Sequence, residues 1–128
     1  MSKYMLIMRG TDESNAAVIE GFEELAASTY RYIEELVKAG VFVEAAGLDD
    51  AGQSVVVDFS GETPVVTDGP YGETKELFGG YFLLDVASKA EAVEWARRVP
   101  AVTGSKIEVR RVAGDDERPS DGAAGTES

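Results

Sequence analysis

Asp68, Tyr71, Glu73 and Lys75 sit close together in the run DGPYGETKE, from Asp68 to Glu76. A carboxylate accepts protons, a phenol donates a hydrogen bond and an ammonium holds negative charge. Together they would suit general-base work on a small molecule. Asp68 or Glu73 would be the catalytic carboxylate, Tyr71 a donor and Lys75 an electrostatic partner for the ligand. A turn explains part of the run, because Asp68 can accept backbone hydrogen bonds of its own turn while Gly69 and Pro70 set the backbone. It does not explain so many polar side chains directly ahead of a strand opened by Gly79 and Gly80, where backbones can approach closely.

Three more charges stand out. Arg9 ends the first apolar strand, Glu44 interrupts VFVEAA and Asp85 ends YFLLD. Solvated strand ends account for such charges, whereas on a covered sheet face each would need a partner. Arg9, Glu44 and Asp85 are therefore candidate ligand-binding residues, to be considered with Arg110. The basic run EVRR, Glu108 to Arg111, either offers a cation to an anionic ligand or protects an edge strand from aggregation.

Composition narrows the chemistry. The chain has no His and no Cys, which removes imidazole bases, Ser-His-Asp catalysis, thiolates and zinc sites built on those ligands. We expect no cofactor and no metal site, since a carboxylate-only Mg²⁺ or Ca²⁺ site needs convergent oxygens and the acids are spread along the chain. A net charge of −12 argues against a nucleic acid partner, which calls for a basic face. The glycines lack phosphate-loop spacing. The longest apolar runs, YMLIM and YFLL, fall far short of the roughly 20 residues that cross a bilayer. No basic-then-apolar signal pattern opens the sequence, so a cytoplasmic protein without a membrane partner is expected.

The elements that would position these residues follow from periodicity. KYMLIMR reads as a strand. In the stretch from Asn15 to Gly40, Val18, Phe22, Leu25, Thr29, Ile33, Leu36 and Val37 recur at helical spacing, predicting one long helix that Gly40 stops. VFVEAAGL and SVVVDFS read as a hairpin through DDAGQ, with PVVT only extending an edge. GGYFLLDV is a fourth strand. SKAEAVEWARRVP is a helix with a Ser88/Glu91 capping box, inward-facing Ala92, Trp95, Ala96 and Val99, and Pro100 as its stop. KIEVRRV closes the domain. The tail from Ala113 to Ser128 has five acids against Arg118 and no apolar residue larger than Ala, so it is expected to be disordered and the domain to span 1–112.

This order predicts an α+β, ferredoxin-like antiparallel sheet with two helices on one face. Strands one and four are apolar on both faces: Tyr4, Leu6 and Met8 oppose Met5 and Ile7, while Phe82, Leu84 and Val86 oppose Tyr81 and Leu83. Two helices cover one face. A second copy stacked on the other face, a homodimer, is the economical cover.

The motifs DGPYGETKE, GGYFLLDV, AVEWARRVP and IEVRRV together resemble the YCII-related proteins, specifically the DGPF-domain subgroup, over Lys3 to Val112. Tyr71 stands where that subgroup usually has Phe. The resemblance implies a ferredoxin-like protomer paired into a dimeric α+β barrel. Founding YCII proteins are suspected of using a His-Asp pair, and a chain without His cannot share that mechanism. Two functions stay open on this reading. One is a metal-independent small-molecule-binding protein or enzyme with its pocket between helices and sheet near the DGPYGETKE loop. The other is a non-catalytic regulatory or interaction module, which the resemblance associates with sigma factors.

Overall fold

The structure, a computed structural model, describes residues 1–69 and 77–114. Its elements are β1 (Ser2–Gly10), α1 (Asp12–Glu20), α2 (Phe22–Lys38), β2 (Phe42–Gly47), β3 (Val55–Asp58), β4 (Val65–Asp68), β5 (Leu77–Val86), α3 (Lys89–Arg97) and β6 (Lys106–Arg111). Strands β2, β5, β1 and β6 lie in that order in one antiparallel sheet, while β3 and β4 form a separate two-stranded ribbon. The expected ferredoxin-like α+β arrangement is thus present, carrying the ribbon as an insertion between β2 and β5.

The two faces of β1 and β5 separate as their alternation predicts. Tyr4 pairs with Leu84 and Leu6 with Phe82, and all four are buried beneath the helices together with Val86. From α2, Tyr32 and Leu36 close over them, and α3 contributes Ala92. The Tyr32 ring meets Phe82 edge-on at 5.1 Å, and its hydroxyl donates to the Trp95 carbonyl at 2.6 Å. Burial of this phenol raises its pKa. The guanidinium of Arg98 stacks over the Trp95 ring at 4.1 Å and pairs with Glu35 at 2.9 Å, tying α3 to α2.

Three expectations need correction. The long helix is two: α1 begins after Thr11, whose hydroxyl accepts from the Ser14 N–H at 3.2 Å, and ends at Gly21. The hydrogen-bond ladder continues through Gly21, from Gly21 N–H to the Ala17 carbonyl and from Leu25 N–H to the Gly21 carbonyl. Leu36 of the expected stripe is buried, but Phe22 and Val37 are exposed, at 62% and 57%, and Tyr32 is a buried residue beside the stripe. Second, β2 does not pair with β3. It pairs with β5, which places Phe42 and Ala45 against the core, a larger apolar gain than a local hairpin would give. Third, PVVT is a strand in its own right. Val57 pairs with Val66, and Asp58 makes the intervening turn by accepting from the Ser60 N–H at 2.8 Å.

The second helix follows expectation. The Ser88 hydroxyl caps Glu91 N–H at 3.2 Å, Glu91 reaches back to the Ala87 N–H at 3.0 Å, and Ala92 and Val99 are buried. Gly40 adopts φ +75° as the helix stop requires. The acidic tail expected from residue 113 lies, from 115 onward, outside the described residues.

Candidate functional site

At the end of the sheet where β1 finishes and β5 begins, α1 and α2 leave a cavity of about 700 Å³ between themselves and the strands. Val18 of α1 and Leu25 and Ile33 of α2 form one wall, and Phe82, Ile107 and Ala45 form the opposite one. Ile19, Phe22 and Tyr30 stand at its edge, 75%, 62% and 73% exposed, so the opening is apolar as well. Asn15, Thr29, Ser105 and the pair Asp49 and Asp50 supply scattered polar groups. A concave, apolar space with few polar groups in this size range is what a small-molecule ligand occupies.

The anticipated site residues do not converge on it as a group. Arg9 lines the cavity, but its guanidinium is paired with Glu108 at 2.9 Å. Asp68 ends β4 on the ribbon, opposite Val55; it is exposed and is not among the described cavity walls. The turn donor after it, Gly69 N–H, goes to the Ser54 carbonyl at 2.9 Å rather than to the Asp68 carboxylate. Tyr71, Glu73 and Lys75 lie outside the described residues. Phe78 and Gly79, which follow that segment, belong to the cavity wall.

Glu44 and Asp85 lie elsewhere, on the sheet face turned away from the helices. Successive rows cross that face: Ala46, Tyr81, Ile7 and Glu108, then Glu44, Leu83, Met5 and Arg110, then Asp85 beside Lys3. The Tyr81 hydroxyl donates to Glu44, and this bond raises the phenol's pKa. Glu108 accepts from both Arg9 and Arg110. One carboxylate oxygen of Asp85 is buried and has no hydrogen-bond partner among the described residues. That is costly for an acid unless something else covers and satisfies it.

The model of the YCII-related domain matches residues 2–114, nearly the whole described chain. The chain belongs to the YCII-related domain family. An uncharacterized protein of Rhizobium meliloti (strain 1021) is 36% identical to this YCII-related chain over 93 residues, covering 70% of the chain and 71% of the relative. Among the described residues no three His, Cys, Asp or Glu side chains are grouped to hold a metal ion. Nor is any helix there long and apolar enough to cross a membrane.

Sequence reasoning missed the cavity walls and the roles of Tyr81 and Glu108. Two signals bear on this. Gly21 interrupts an otherwise helical pattern, and Ile19 and Phe22 beside it are large apolar residues that one inward stripe cannot bury together.

Proposed function

We propose that this YCII-related protein binds a small, largely apolar molecule, without metal, in the cavity between α1, α2 and the sheet. The observation that carries the reading is the cavity itself: about 700 Å³ with apolar walls and an apolar opening. The DGPYGETKE run supports a role for its loop and membership of the DGPF-domain subgroup, since the chain enters the wall at Phe78 directly after it. On this reading Tyr71 and Lys75 contact the ligand, and any catalytic step would fall to Asp68 or Glu73. A cytoplasmic setting belongs to the same proposal.

The test is a thermal-shift screen with small aromatic and aliphatic acids, amines and alcohols, run on the wild type and on Ala26→Trp. Ala26 lines the cavity from α2, and an indole there would obstruct it. A binder at 100-fold over its dissociation constant should stabilise the wild type by roughly 2.7 kcal/mol and leave Ala26→Trp unshifted. A library that shifts neither protein, or both equally, would count against the cavity.

The open sheet face favours a second reading beside the first, an interaction module that pairs with itself. Met5, Ile7 and Leu83 form a half-buried apolar strip there, and the unsatisfied Asp85 oxygen lies at its end. We infer that a second copy covers this face. Light scattering at micromolar concentration should give twice the 13.6 kDa chain mass; a soluble monomer would contradict the homodimer.

A further inference from the structure

Among the described residues, the β3–β4 ribbon is an apolar element that leaves four of its five valines exposed. Val55, Val57, Val65 and Val66 are 61%, 47%, 50% and 65% exposed, and Phe59 at the tip is 72% exposed. A two-stranded ribbon this short is marginal in water by itself. Clustered exposed β-branched residues also mark a surface that another chain covers. The segment Leu48 to Gly69 that forms it carries Asp49, Asp50, Asp58, Glu62 and Asp68, and no Lys or Arg.

The open sheet face has the opposite balance. Lys3, Arg9, Lys106 and Arg110 outnumber Glu44, Asp85 and Glu108 there, in a chain whose net charge is −12. The basic excess gathers along β6 and the adjoining ends of β1. The ribbon departs from the sheet at β2, and β6 is the opposite edge. Its own β6 is therefore three strand spacings away, about 14 Å.

We propose that the β3–β4 ribbon is an arm that grips a second copy of this chain. Val55, Val57 and Val66, which share one face of the ribbon, lie on the apolar strip of the partner's open face, and the ribbon's acids lie against the basic β6 side. Twofold symmetry makes the contact twice, so each copy both gives and receives an arm. The proposal rests on the homodimer inferred above and adds which element holds it together. Charge complementarity also sets register, because an acidic arm is repelled by the acidic surface elsewhere.

Two kinds of arm variant read this separately from folding. Val57→Asp with Val66→Asp charges an apolar pair that the single chain already exposes, so the far-ultraviolet circular dichroism of the domain should be unchanged. Asp58→Lys with Glu62→Lys keeps every valine and reverses the charge. Both should raise the dimer dissociation constant at least 100-fold by light scattering dilution series. A benzophenone maleimide on Val57→Cys, in a chain with no other Cys, should cross-link to β1, β5 or β6 and give twice the chain mass. If both arm variants dimerise like the wild type while Leu83→Asp splits the dimer, the arm is overturned and the homodimer stands. A cross-link recovered within one chain also overturns the arm. A wild type that is monomeric overturns both.

Discussion

Phe82→Ala is expected to cost about 4 kcal/mol of folding stability, the range for truncating a buried aromatic. Phe82 is 2% exposed at the middle of β5, pairs with Leu6 on β1 and Ala45 on β2, and meets Tyr32 edge-on from α2. Its removal strips one side chain from contacts with three elements. The void would open into the cavity between the helices and the sheet, whose wall Phe82 forms, so collapse around it is limited and the full cavity penalty applies. Against a typical stability of about 5 to 15 kcal/mol, the variant should be marginal at 37 °C. Urea unfolding measures it, and a loss below about 1.5 kcal/mol would show that this core is not built around Phe82.

Gly80→Ala should cost about 3 kcal/mol although it adds only a methyl group. Gly80 has φ +153°, a backbone conformation L side chains avoid. An added Cβ would lie 2.6 Å from the Ala46 carbonyl oxygen and 2.7 Å from the Met8 Cε. The methionine can turn aside. The carbonyl cannot move without parting β2 from β5, because Gly47 pairs with Gly80 there. The β1 register also slips between Met8 and Arg9 at this level, so the glycine lets three strands pass a bulge. Gly79→Ala is the control: the added Cβ would meet the Met8 carbonyl oxygen at 3.9 Å, ordinary contact. Equal losses in the two variants would contradict this account of Gly80.

The ferredoxin-like plan was legible because β1, β5, α3 and the caps obey local rules. Short apolar runs of strand length in YMLIM and YFLLDV, the Ser88 cap and the Gly40 stop each name a backbone state without long-range information. The parity of the strands was not legible, since both faces of β1 and β5 are apolar and only helix placement decides between them. Strand pairing failed for a related reason. DDAGQ and DFSGETP both resemble turns, and β2 is drawn to β5 by burial of Phe42 and Ala45, a gain that no local window contains. The candidate site was legible only in its general location between helices and sheet. Its apolar walls come from the packing of α1 before Gly21 and α2 after it, and hydrophobic residues at a cavity read in sequence like residues of a core. Glu44 and Asp85 stand out in the sequence as charges in apolar strands, and what the structure adds is their placement on the open face, with Tyr81 as the partner of Glu44.

The most direct test of the proposed ligand binding in the cavity is methyl-resolved nuclear magnetic resonance with Ile, Leu and Val labelling and the same set of small acids, amines and alcohols. Binding compounds should perturb the methyls of Val18, Leu25, Ile33 and Ile107, which face the cavity, and leave Ile7 and Leu83 on the open face unmoved. Ala26→Trp should abolish those perturbations with its own spectrum still that of a folded domain. Perturbations confined to Ile7 and Leu83, or an unchanged response in Ala26→Trp, would contradict binding between the helices and the sheet.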